Sequence, residues 1–251
     1  MKTILRSFAI LATGLLAHAD EIRVAAAASL TEAVTEIATA YGKEAGGNKA
    51  TPVFAASNVL ARQIEEGAPI DVFISADEAN MTKVEKAKLV KDSAPLLTNA
   101  LVVVVPNDSS AKVGSAADLD GLKRIAIGDP AAVPAGVYAK AWLTKAGLWD
   151  KLQAKTVPSE NVRAALAAVE SGNVDAAIVY KTDAAVAKKS KIAWTVPTAD
   201  VPAIIYPVAV CTASKHTEEA KKFVEFLHSA KATEIFKARG FGIAPVPAAA
   251  K

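Results

Sequence analysis

Four short stretches place hydroxyl, amide and turn residues directly ahead of helical patterns, an arrangement that can hold an anion. Ser29-Leu30-Thr31-Glu32 has the serine and the glutamate three places later that form a capping box at a helix start. Ala55-Ala56-Ser57-Asn58 runs into the helical string Leu60-Ala61-Arg62-Gln63-Ile64. Gly128-Asp129-Pro130-Ala131-Ala132-Val133-Pro134-Ala135-Gly136 carries a proline where a first helical turn accepts one. Pro158-Ser159-Glu160-Asn161-Val162-Arg163 opens a fourth helical pattern. Each helix start offers N–H groups with no intrahelical acceptor and about half a positive charge. Four converging starts would present roughly two positive charges without any cationic side chain, which suits a dianion. Each residue also has a plainer reading. A serine at a helix start is often only a cap, contributing about 1 kcal/mol. Tyr180, closing Ile178-Val179-Tyr180, could equally be core or rim packing. Spacing alone therefore reaches a two-domain α/β binder of something anionic.

Catalytic patterns are missing where they would be sought. The chain has no Gly-x-Ser-x-Gly elbow and no phosphate loop of the Gly-x-x-x-x-Gly-Lys kind. Beyond the first nineteen residues only His216 and His228 remain, too few and too far apart for a zinc cluster. No enzyme and no cofactor is expected. Cys211 is the single cysteine, so no intramolecular disulfide can form, and its apolar run predicts a buried, inert thiol.

The elements that must position these loops alternate along the chain. Apolar β-rich runs lie at 22–27, 52–55, 71–75, 100–105, 124–127, 174–179, 192–196 and 205–211. Between them, helical periodicity covers 30–45, 59–66, 135–146, 161–171 and 218–227. Such alternation with short connections predicts an α/β architecture with mainly parallel sheets. The four loops then fall at the carboxyl ends of strands, where open α/β sheets bind ligands. Two continuous aliphatic runs, Leu101 to Val105 and Ile204 to Val210, read as segments that cross between domains. The expected division is 20–99 plus 206–251 for a first, discontinuous lobe and 100–205 for a second, with hinges at 98–101 and 203–206.

Residues 1–19 read as a secretory signal peptide. Lys2 and Arg6 precede an apolar stretch, and Ala17-His18-Ala19 has the small-x-small form cleaved before Asp20. The stretch is shorter than the roughly 20 apolar residues of a membrane span. No cysteine follows the cut, so no lipid attachment is expected there. Without Lys2 and Arg6 the 29 basic residues fall to 27 against 26 acidic, a net charge of about +1. That balance calls for neither nucleic acid nor a membrane surface as partner. A periplasmic location follows.

Several of these strings resemble the periplasmic molybdate-binding proteins. Ala26-Ala27-Ala28-Ser29-Leu30-Thr31 is similar to their opening loop, and Phe54-Ala55-Ala56-Ser57 with the helix through Gly67-Ala68-Pro69 to their second. Asp71-Val72-Phe73-Ile74-Ser75-Ala76-Asp77 continues that likeness. Gly128-Asp129-Pro130 with Val133-Pro134-Ala135-Gly136-Val137-Tyr138, Asn161-Val162-Arg163, Ile178-Val179-Tyr180, Tyr206-Pro207-Val208-Ala209 and Gly240-Phe241 complete it. The resemblance implies a type II periplasmic binding protein fold, two α/β domains joined by two crossing strands, with the oxyanion in the cleft. It implies that Ser29 and Ser57 donate hydroxyl and N–H, Ala135 and Val162 backbone N–H, and Tyr180 its phenol. The molybdenum would arrive as molybdate, with no direct protein–metal bond, and tungstate is of nearly the same size. Arg163 is expected to point away from the anion. The implied partners are an ABC permease and its ATPase, and the binder itself is expected to be a monomer. Sulfate, phosphate, ferric ion and a small organic acid remain as rival solutes. Ferric ion would call for clustered tyrosines, whereas Tyr41, Tyr138, Tyr180 and Tyr206 are scattered along the chain. An organic acid would call for an arginine such as Arg163.

Overall fold

The computed structural model describes residues 21–45 and 48–245; the expected signal peptide, residues 1–19, lies outside them. Strand β1 (Glu21–Ala27) leads into helix α1 (Thr31–Glu44), β2 (Lys49–Ala55) into α2 (Ser57–Glu65), and β3 (Val72–Ile74) into α3 (Glu78–Lys86). Strand β4 (Val90–Thr98) is followed after two residues by β5 (Leu101–Pro106). Next come β6 (Ile125–Gly128), α4 (Pro134–Lys145), the short α5 (Trp149–Leu152), β7 (Thr156–Ser159) and α6 (Val162–Glu170). Then follow β8 (Ala176–Tyr180), the single turn α7 (Lys181–Ala184) and β9 (Ser190–Thr195). Strand β10 (Ile205–Cys211), α8 (Thr217–Leu227), α9 (Ala230–Ala238) and β11 (Gly242–Ile243) complete the chain.

These strands form two sheets. The six-stranded sheet runs β11-β4-β10-β3-β1-β2, and the five-stranded sheet runs β7-β6-β8-β5-β9. The α/β fold class is as expected, but the sheets are mixed rather than mainly parallel. Strand β1 pairs parallel with β2 and β3, and β6 with β7 and β8, because each of those connections contains a helix. The strands that carry the chain between sheets enter antiparallel: β10 against β3 and β4, and β5 against β8 and β9. The chain leaves the first sheet after Thr98 and returns at Ile205, and those two residues are paired neighbours.

Burial explains which runs were legible. Leu101 through Val105 are each fully buried, and all of β8 is buried, so both read as unbroken apolar strings. Strand β4, Val-Lys-Asp-Ser-Ala-Pro-Leu-Leu-Thr, was not expected from the sequence. Its first half is exposed at Lys91, Asp92 and Ser93, and Asp92 has a positive φ of 54°. Pro95 stands opposite Pro207 in β10, with a register shift beside the pair. Neither residue can donate to the ladder, so the pairing bulges there. Strand β7 also escaped notice; its Pro158 is tolerated because β7 is an edge strand.

Candidate anion-binding site

All five residues singled out from the sequence line one small, nearly closed cavity. Ser29, Ser57, Ala135, Val162 and Tyr180 are 1–4% exposed. The topology brings them together. The ends of β1 and β2 are in register at Ala27 and Ala55, and those of β6 and β7 at Gly128 and Ser159. Each of these strand ends feeds a loop that enters the cavity wall. The space left between these loops is far below the roughly 300–1,000 Å³ of pockets for drug-sized ligands.

Three helices start at this wall. Ser57 is the first residue of α2, Ala135 follows Pro134 at the start of α4, and Val162 is the first residue of α6. Their N–H groups have no acceptor within their own helices, and the three starts carry positive dipole ends. Asn161 caps α6 by accepting the Ala164 N–H at 2.9 Å, which fixes the helix start without occupying Val162. Among the described residues, no cationic side chain and no carboxylate lines the cavity.

The serines differ from their expected role. Ser29 is not an N-cap, and no capping box forms. It lies in a 3-10 turn, Ala28–Leu30, that precedes α1, while Glu32 pairs instead with Arg163. The Ser29 hydroxyl meets Tyr206 Oη at 3.0 Å, and that phenol oxygen accepts from Asn99 Nδ2 at 3.1 Å. Either hydroxyl can donate in the Ser29–Tyr206 contact; when Tyr206 donates, the Ser29 proton is left for the cavity. Ser57 likewise sits inside α2, with Ala56 in the cap position. Its Oγ accepts the Ala76 N–H at 2.9 Å, so its own proton is free to donate. The supporting residues Asn99 and Tyr206 were missed as such, since no local pattern in the sequence links them to Ser29.

Tyr180 Oη is the decisive atom. It is buried and has no hydrogen-bond partner among the described residues, and Tyr180 lines the cavity. Tyr41 Oη, Asn58 Oδ1 and Ser190 Oγ are also buried without a partner, but of the four residues only Tyr180 lines this cavity, where a ligand oxygen would accept its proton. Burial pushes the Tyr180 and Tyr206 phenols well above the ordinary tyrosine range, so both remain protonated donors. The two rings pack edge to face with centroids 5.7 Å apart, so tyrosines scattered in sequence converge here.

Arg163 turns away from the cavity, as expected. Its Nε donates to Asp183 Oδ1 at 2.5 Å, and Nη1 and Nη2 donate to the Glu32 carboxylate at 2.8 and 2.5 Å. Burial pushes the Asp183 carboxyl up to about 6 against the pull of Arg163, so at neutral pH it stays ionised beside its partner. One backbone approach is unusually close. A Cβ built on Gly136 would lie 1.9 Å from Gly128 O and 2.8 Å from Asp129 O. Only glycine lets the start of α4 press against the loop leaving β6.

With this geometry in view, residues 22–242 match the family described as bacterial extracellular solute-binding protein. The chain belongs to that family. This solute-binding protein is 43% identical over 245 residues to the molybdate-binding protein ModA of Escherichia coli (strain K12), covering 94% of both chains. The Azotobacter vinelandii periplasmic molybdate-binding protein superposes with a TM-score of 0.80 at 24% identity, over 89% of this chain and 100% of that one. The sulfate-binding protein SubI of Mycobacterium tuberculosis H37Rv superposes with a TM-score of 0.77 at 17% identity, over 88% and 86%. The fold is therefore that of the periplasmic solute-binding proteins. It is shared with proteins named for different anions, so the choice of solute has to be argued from the site.

Proposed function

We propose that this protein captures molybdate, and tungstate as its near-equal in size, in the periplasm and delivers it to an ABC permease driven by its ATPase. It acts as a carrier, not an enzyme. The observation that carries the reading is the unpaired Tyr180 phenol on a residue that lines a small cavity together with two serines and three helix starts. In this reading Ser29, Ser57, Ala135, Val162 and Tyr180 hold the four oxygens of the anion, and no side chain bonds to the metal. The two lobes, 20–99 plus 206–251 and 100–205, each supply part of the shell and close on it as a monomer.

Neutral donors with no carboxylate among the cavity-lining side chains, and with the Ser57 and Asn161 oxygens already accepting backbone N–H groups, favour a fully deprotonated dianion. Monohydrogen phosphate brings a proton that would be buried unpaired, costing roughly 1–3 kcal/mol. Sulfate has the right charge but shorter bonds, so in this reading it makes poorer contacts than molybdate with the same donors. A ferric site is not favoured. Tyr206 is occupied by Ser29 and Asn99, the Tyr180 phenol stays protonated, and no group of three His, Cys, Asp or Glu side chains able to hold a metal occurs among the described residues. Thermal melts in a 100-fold excess over Kd should rise by roughly 5–10 °C for molybdate and tungstate. Sulfate and phosphate should shift the melt little at the same concentration. A larger shift with sulfate than with molybdate would reverse the assignment.

Two further outcomes follow from the donors. Ser57→Ala removes one hydroxyl donated to an anion, so molybdate affinity should fall about 10- to 100-fold. The Ala76 N–H also loses its acceptor, which should lower stability by roughly 1–3 kcal/mol while the fold persists. Calorimetric titration beside a urea melt separates the two effects, and unchanged affinity would remove Ser57 from the site. The second outcome concerns pH. Ionising Tyr180 would set a phenolate against a dianion, but burial holds its pKa well above 10. Affinity measured from pH 7 to 9 should therefore be flat; a decline across that window would mean the phenol titrates there.

A further inference from the structure

The Arg163 ion pair lies between the two sheets. Glu32 stands in the first turn of α1, directly after the loop that brings Ser29 to the cavity from the six-stranded sheet. Arg163 stands in the first turn of α6, next to Val162 on the side of the five-stranded sheet. Its guanidinium is fixed from behind by Asp183, which is fully buried and also accepts the Tyr180 N–H at 3.2 Å. The remaining two nitrogens form a fork that meets both oxygens of Glu32. The pair is half-buried, with side-chain exposures of 23% and 33%, and Arg163 Nη2 also approaches Ser29 O at 3.5 Å. One of its members thus adjoins a cavity residue from each side.

We propose that Arg163 and Glu32 form a latch across the cleft, in which Arg163, held ready by Asp183, captures Glu32 as the lobes close and sets how long the solute is retained. Neither residue lines the cavity, so both are positioning residues rather than ligands. The latch rests on the reading that the lobes open and close around an anion. Its geometry explains why Arg163 follows Val162 without touching the solute: the same helix start offers its N–H to the anion and its side chain to the opposite lobe. A bidentate fork is direction-dependent, so lysine at 163 cannot replace it. A half-buried, hydrogen-bonded charge pair acts mainly on dissociation, whereas an exposed rim charge acts mainly on association.

The test is stopped-flow binding of sodium molybdate to the mature protein, comparing wild type with Glu32→Gln. This substitution leaves every proposed donor in place and avoids stranding Asp183 without its cation. Dissociation should accelerate roughly tenfold, with the association rate within about twofold of wild type. Glu36→Gln is the control. It breaks the ion pair of Glu36 with Arg239, which joins α1 to α9 within one lobe, and should leave both rates unchanged. Equal dissociation from wild type and Glu32→Gln overturns the latch, as does acceleration of the same size in Glu36→Gln. Should wild type bind no molybdate, the oxyanion reading falls, and small-angle scattering of the ligand-free proteins still decides the latch. Glu32→Gln should then be more expanded than wild type, and identical dimensions would overturn it.

Discussion

Tyr180→Phe is expected to leave the ligand-free protein as stable as wild type, or slightly more so, while weakening molybdate binding about 10- to 100-fold. The opposite signs follow from one atom. Without ligand, the phenol oxygen is buried and unpaired, and phenylalanine removes an unsatisfied polar group while keeping the ring. That ring packs edge to face on Tyr206, so its contribution to the core persists. With ligand, the lost group is a neutral donor to a charged acceptor, worth roughly 1.5–3 kcal/mol. Most substitutions that impair binding by damaging structure lower stability as well. The combination of retained melting temperature and lost affinity is therefore diagnostic of a ligand contact. Calorimetric titration and a thermal melt on the same preparation check it. Unchanged affinity would take the phenol out of the shell, and a large loss of stability would mean that it has a structural partner.

Gly136→Ala should have the largest effect on stability. The added methyl would sit 1.9 Å from Gly128 O, far inside contact distance, and its nearest neighbours are backbone atoms of Gly128 and Asp129 that no rotamer can move aside. The start of α4 must then retreat from the loop leaving β6. Overpacking of this kind costs about 3 kcal/mol or more, equivalent to a melting temperature roughly 6–12 °C lower in a chain of this size. The same retreat displaces the Ala135 N–H, so molybdate affinity at 20 °C, where the variant is still folded, should fall at least about tenfold. A variant as stable as wild type would show that the two loops do not press together. A destabilised variant with full affinity would remove Ala135 from the site.

Much of the fold was legible because burial and periodicity coincide. Strands β5 and β8 are buried on both faces and read as aliphatic runs, and the loop–helix junctions announce themselves through Pro134 and Asn161. Legibility failed where distant residues decide the local outcome. Glu32 has the spacing of a capping box, but Arg163, 131 positions away, takes its carboxylate. Ser29 lies in the 3-10 turn before α1, where Leu30 holds the cap position, and bonds Tyr206 instead. Tyr180 and Tyr206 look unrelated along the chain. They meet because Tyr180 pairs with Leu101 in β5 and Tyr206 with Leu97 in β4, on either side of the step between sheets. The exposed, proline-bearing β4 carries no alternation that could reveal it, and with β4 hidden the antiparallel pairings around β10 could not be foreseen.

The direct measurement is calorimetric titration of the mature protein with sodium molybdate, repeated with sulfate as competitor. One molybdate per chain, bound tightly and displaced only by sulfate in large excess, is the predicted result. No heat with molybdate, or displacement by equimolar sulfate, would contradict the assignment of this cavity to molybdate.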